Sequence, residues 1–140
     1  GHSGMGTTLA ANPLATAALT ACLEHVMTDD AFAHMNRLAD LLCTGLTQTI
    51  RRHALPWHVV SVGARSELCF SATAARTARE SLDAAVPELE HALHLYLLNR
   101  GVLITPFHNM MLMTPSTTDR QVQALLHAID ACCNELKNAA

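Results

Sequence analysis

Between Thr28 and Pro56 the chain places an apolar residue every three or four positions: Phe32, Met35, Leu38, Ala39, Leu42, Leu46 and Ile50. That spacing gathers them into one stripe of a long helix, and the stripe demands an apolar partner from elsewhere in the chain. Thr28 is a fitting N-cap, Asp29 and Asp30 suit the positive helix end, and Pro56 forces an end near His53. The same reasoning predicts three more helices. One covers 13–27, with Asn12 as cap, Pro13 in the first turn and Leu19, Cys22, Leu23 and Val26 as its stripe. Its alanines would also let another backbone approach closely. A second covers 86–100, with Leu89, Leu93, Tyr96 and Leu97, and Gly101 just beyond its end. The last follows the capping box Thr118-Asp119-Arg120-Gln121 and carries Val122, Leu125, Leu126, Ile129, Cys132 and Leu136.

Strand signals fall between these helices. Residues 57–62 are β-branched and aromatic, and 67–71 alternate polar with apolar, so the two predict an antiparallel hairpin with a longer turn over Gly63-Ala64-Arg65-Ser66. Short strands are expected at 102–104 and 110–113, with Pro106 marking the piece between them as a turn or an edge. Residues 72–85 have no clear period and read as an exposed connection, helical in part. The order is α+β: a small, largely antiparallel sheet with helices packed on one face.

Half of the 140 residues are hydrophobic, enough for one folded, soluble domain with a real core. A formal charge of −3, with no basic cluster beyond Arg51-Arg52, argues against nucleic acid or an anionic membrane as partner. No apolar run approaches the ~20 residues of a membrane span, and no export signal opens the chain, so the cytoplasm is expected. Five cysteines, an odd number without Cys-x-x-Cys spacing, read as free buried thiols in a reducing compartment. His91-x-x-His94 is the one close histidine pair, and without a third ligand it predicts no metal site.

The run Gly6-Thr7-Thr8-Leu9-Ala10-Ala11-Asn12-Pro13 joins flexible backbone, two hydroxyls and a helix start. Free N–H groups, the helix dipole and the threonine hydroxyls would together favour an anion such as a phosphate ester. The same residues are ordinary turn vocabulary, so spacing alone leaves a capped loop as the alternative.

That run, with Leu14 and Ala17-Ala18, resembles the Gly-Thr-x-x-x-Asn-Pro-x-x-x-Ala-Ala signature of the class III, pyridoxal-phosphate-dependent aminotransferases. The likeness continues through Val62-Gly63-Ala64-Arg65, Leu98-Asn99-Arg100-Gly101-Val102 and Thr105-Pro106-Phe107 to the terminal helix. It covers nearly the whole chain and is to the C-terminal part of such an enzyme, in the manner of the glutamate-1-semialdehyde aminomutase-like members. Gly1 in place of an initiating methionine fits a piece or a processed product.

The resemblance implies residues 1–12 as a phosphate-binding-type loop and interface segment and 13–140 as the small C-terminal domain. It implies pyridoxal phosphate as cofactor, with Thr7 and Thr8 contacting the cofactor phosphate of a neighbouring subunit, and hence at least a dimer. Partners would be the large cofactor-binding domain, a second identical subunit and a small-molecule amino donor and acceptor. The reaction implied moves an amino group on an amino acid or amino-aldehyde. No catalytic residue is expected within the chain: the family's Schiff-base lysine lies upstream of the Gly-Thr-Thr stretch, and the single lysine here, Lys137, sits in the last helical turn as a solvated residue. The isolated chain should therefore neither turn over nor hold the cofactor. The family's substrate-carboxylate arginine is missing, since the two positions that could carry it hold Phe107 and Met111, which points to apolar roles for Phe107, Met110 and Met111. Phe107, His108 and Asn109 are the candidates for a substrate-facing rim, because functional groups concentrate on such loops. Arg65 and Arg100 read as surface ion pairs or as donors to helix carbonyls rather than as substrate contacts. The alternative reading is a non-catalytic module of the same fold that binds or regulates a partner.

Overall fold

The structure, a computed structural model, describes residues 12–139, with side chains as far as residue 137. Its elements run α1 (Pro13–His25), α2 (Asp29–Arg52), β1 (His58–Val62), β2 (Arg65–Cys69), α3 (Ala78–Asp83), α4 (Pro87–Leu98), β3 (Met110–Leu112) and α5 (Asp119–Ala139). The three strands form one antiparallel sheet in the order β1-β2-β3.

The caps act where their chemistry predicts. Asn12 Oδ1 accepts from Ala15 N–H at 2.9 Å, and Thr28 Oγ1 accepts from Ala31 N–H at 3.3 Å. Thr118 and Gln121 close a reciprocal box: Gln121 N–H donates to Thr118 Oγ1 at 3.3 Å while Thr118 N–H donates to Gln121 Oε1 at 2.8 Å. Gly101, at φ +74°, ends α4 with bonds from its own N–H to Leu98 and from Val102 N–H to Leu97. Such a left-handed close favours glycine. Ala54 makes the same turn after α2 at φ +53°, with Leu55 N–H donating to the Ile50 carbonyl, and pays a Cβ penalty that glycine would not.

The stripe of α2 is the spine of the core. Leu38, Leu42 and Leu46 are fully buried against Leu97 of α4, Val122 and Ile129 of α5, and the inner face of the sheet. Burying each such leucine contributes about 1.5–3 kcal/mol. The strand alternation sends Val59, Ser66, Leu68 and Met111 inward, and Ser66 Oγ lies 3.2 Å from Cys43 Sγ of α2. Gly45 lets α5 approach α2, since a Cβ there would stand 2.5 Å from Leu126 Cδ1. The α2–α5 contact is fastened at the start of α5 by Arg37, whose two N–H groups reach the Asp119 carboxylate at 2.9 and 2.7 Å. Beside it, His34 Nε2 donates to the Thr117 carbonyl at 2.8 Å.

Several expectations need correction. Residues 102–104 do not join the sheet, because Thr105 alone bonds to β3 and the run then diverges from it. The connection 72–85 is helical in part, as expected, through the short α3 capped by Thr77. The hairpin turn is tighter than expected: Val62 pairs directly with Arg65, and Gly63 at φ +55° makes a two-residue loop. No residue of α1 is buried, so the stripe expected to face a core instead faces outward, with Leu19 59% exposed. All five cysteines are free, but only Cys132 and Cys133 are buried, while Cys22 on α1 is exposed. No helix among the described residues is long and apolar enough to cross a membrane.

Candidate functional site

Because α2 covers one face of the sheet, the chemistry-bearing side chains of the strands collect on the other. The register aligns Val60 with Glu67, and Glu67 in turn with Met110, so these three share the open face with Arg65 and Leu112. At its centre the Glu67 carboxylate lies between two cationic or potentially cationic groups. Arg65 donates to Glu67 Oε2 at 3.0 Å, and His108 Nδ1 stands 3.8 Å from Glu67 Oε1.

His108 is brought there by the loop between residue 105 and β3. The Thr105 hydroxyl lies within hydrogen-bond reach of the Phe107 and Met110 carbonyls, at 3.0 and 2.9 Å, which closes the loop on itself. His108 and Asn109 both take left-handed backbone, at φ +57° and +42°. Asn109 is a residue that tolerates this conformation; its side chain turns inward, 3% exposed, with Nδ2 donating to the Leu68 carbonyl at 3.4 Å. Phe107 turns outward, 54% exposed, and meets the His108 ring edge-on with centroids 5.7 Å apart. Of the three rim candidates, the structure thus brings Phe107 and His108 together on the surface and places Asn109 beneath them as an anchor.

Beside His108 opens a cavity of about 390 Å³, walled by Glu67 and Cys69 of β2, by Ser81 and Leu82 of α3, by Glu90 of α4 and by Arg76 from the connection. Burial, and then the charges of Glu67 and Glu90, push the Cys69 thiol above its ordinary range. It is held as a thiol rather than as a nucleophilic thiolate. The arrangement can bind and orient a polar group at the Glu67–His108 edge, but it supplies no activated nucleophile. Glu67 was not singled out from sequence: with the turn expected to run through Ser66, Arg65 falls outside the strand, whereas on β2 the two stand two residues apart and share one face. Met111 lies in the core, and Met110 lies half-buried beside the loop. Arg65 and Arg100 both make ion pairs, Arg100 with Glu135 at 3.0 Å. Among the described residues no three His, Cys, Asp or Glu side chains converge as a metal site would need. Thr7 and Thr8 lie outside the described residues.

No protein-family model matches the chain. Known proteins do. A crystal structure of a glutamate-1-semialdehyde aminomutase from Pseudomonas aeruginosa PAO1, in complex with PMP, superposes with a TM-score of 0.90 at 46% identity, over 97% of this chain and 30% of that one. A glutamate-1-semialdehyde 2,1-aminomutase of Thermomicrobium roseum is 35% identical over 102 residues, which is 71% of this chain and 23% of that protein. Over most of its length the chain resembles the C-terminal part of class III aminotransferases. It spans about a quarter of the length of the curated aminomutases it matches. A β-phenylalanine aminotransferase from Variovorax paradoxus, at 20% identity and a TM-score of 0.82, shares the fold.

For a class III aminotransferase the implied cofactor is pyridoxal phosphate, whose chemistry begins with a lysine amine. The only lysine of the chain, Lys137, is exposed in the last turn of α5. The described residues therefore do not fit the covalent half of such a site.

Proposed function

We propose that this chain is the C-terminal domain of a glutamate-1-semialdehyde aminomutase-like enzyme, which in its complete form moves an amino group on an amino acid or amino-aldehyde with pyridoxal phosphate. The observation that carries the reading is the 46% identity to the Pseudomonas aminomutase over 97% of this chain. The domain supplies no catalytic residue. It supplies Phe107 and His108 to the substrate-facing rim, held in place by Asn109, and Thr7 and Thr8 to the phosphate of a neighbouring subunit's cofactor. The complete enzyme is then at least a cytoplasmic dimer, since a loop serving another subunit's cofactor has no target in a monomer.

The open sheet face and the exposed stripe of α1 support this division of labour. Val62, Leu112, Leu14 and Leu19 stand in water here, and an apolar surface of this extent suits a domain interface. The deciding experiment compares the 140-residue chain with the polypeptide expressed from its complete reading frame, each given pyridoxal phosphate and an amino-aldehyde substrate. Turnover by the longer protein alone supports the proposal. Turnover by the 140 residues alone, or by neither, removes it.

A further inference from the structure

The cavity of about 390 Å³ beside the open sheet face carries charges of both signs, and the described residues leave two of them unanswered. Glu67 is held by Arg65 at 3.0 Å and faced by His108, and His58 Nδ1 donates to the Ser71 carbonyl at 2.6 Å. Cys69, its thiol raised by burial and then by Glu67 and Glu90, stays neutral. That leaves Arg76 and Glu90. Arg76 N–H donates to Glu80 Oε2 at 2.7 Å, just before Thr77 caps α3, and Glu90 stands half-buried in the first turn of α4. Among the described residues nothing bonds or ion-pairs with the Arg76 guanidinium or the Glu90 carboxylate, and the two do not pair with each other.

Taking a carboxylate part-way out of water costs free energy unless a cation or a donor meets it. The positive end of α4 would serve Glu90 as well in water, where Glu88 of the same turn stands exposed and outside the cavity. A ligand that is only a cation would be repelled by Arg76, and one that is only an anion by Glu67 and Glu90. A ligand of both charges satisfies both groups, with an ammonium on Glu90 and a carboxylate on the guanidinium fork of Arg76. We infer that the cavity binds a free amino acid as its zwitterion, ammonium to Glu90 and carboxylate to Arg76, its carbon chain against Leu82 and Val86. The volume lies at the small end of ligand sites, which suits such a molecule. The site borders the proposed substrate rim through Glu67 and His108 but does not rest on the proposed activity, since binding needs neither cofactor nor turnover.

Isothermal titration calorimetry on the 140-residue chain at neutral pH, without cofactor, tests this with four probes: L-alanine, 4-aminobutyrate, propylamine and propionate. At least one of the two amino acids should bind about tenfold or more tightly than the amine and the acid. Which of the two binds better reports the span between Arg76 and Glu90. Binding of neither amino acid, or a smaller advantage over the amine or the acid, overturns the inference. Arg76→Gln and Glu90→Gln should each weaken the preferred amino acid about tenfold or more. Arg76 is exposed and the Glu90 carboxylate has no bond to lose among the described residues, so both variants keep the fold. Glu88→Gln, the same loss of charge outside the cavity, should leave the affinity unchanged. Unchanged affinity in either cavity variant, or an equal loss in Glu88→Gln, also overturns the inference. Turnover by the complete protein without binding here removes the site only, and binding here without turnover by the complete protein removes the proposed activity only.

Discussion

His53 caps the end of α2 and donates from Nε2 to Asp130 Oδ1 of α5 at 2.9 Å, while Arg52 reaches the same oxygen at 2.8 Å. The His53 side chain is 5% exposed, so the pair seals the contact between the two longest helices from within.

The His53 bond, with the Arg52 charge behind it, holds the Asp130 carboxyl below the usual carboxylate range. A carboxyl depressed in the folded state adds stability above its unfolded pKa, about 3.9, and that contribution is lost as pH falls through the lower folded value. Asp130→Asn should therefore be less stable than the parent at neutral pH and converge on it below about pH 4. Urea midpoints at the two pH values measure this, and an equal gap at both would mean that the ion pair contributes nothing to acid sensitivity.

Tyr96 is the only tyrosine, so alkaline absorbance titration reads it alone. Partial burial and the 2.7 Å bond to Glu135 push its phenol up to about 12, against the pull of Arg100, whose guanidinium lies 3.4 Å from the ring centroid. Replacing Glu135 with Gln should lower the titration midpoint. A parent midpoint near the ordinary value of about 10 would show that the Tyr96–Glu135 bond does not form in solution.

Ala54 holds φ +53° at the end of α2. Ala54→Gly removes the Cβ clash of left-handed backbone, worth roughly 1–2 kcal/mol, less up to ~1 kcal/mol for the freer unfolded chain. The variant should be more stable by about 0.5–1 kcal/mol. A higher urea midpoint with an unchanged slope is the expected result.

Leu42 is fully buried and Leu19 is 59% exposed. In the 140-residue chain Leu42→Ala should cost about 2–5 kcal/mol, and Leu19→Ala no more than about 0.5 kcal/mol. In the complete protein Leu19→Ala should cost clearly more, because α1 then has a surface to pack on. Thermal unfolding of both variants in both proteins provides the comparison.

The helices were legible because their caps and stripes are local. Asn12-Pro13, Thr28 with its two aspartates, and the Thr118–Gln121 box each act within one turn, and the α2 stripe needs only its own period. The hairpin was legible for the same reason, apart from the length of its turn, which a single glycine at positive φ decides. The strand expected at 102–104 was not legible, because pairing depends on where α4 and α5 hold the run rather than on its β-branched residues. The candidate rim divides in the same way. That Pro106 starts a turn followed by polar residues can be read from the chain, but which of Phe107, His108 and Asn109 faces outward cannot.

By itself, then, the sequence determined the four long helices and the hairpin between them, the amphipathic spine of α2, the α+β class and the resemblance carried by its glycine, threonine and proline signatures. These are set by interactions within a few residues, or by motifs that survive in linear form. The tertiary structure alone decided that Glu67 meets Arg65 and His108 on one open face, that Asn109 anchors while Phe107 points out, and that the stripe of α1 has no partner within the described residues. Those facts depend on which faces the packing of α2, α4 and α5 leaves uncovered, and burial is a property of the whole chain that no local period encodes.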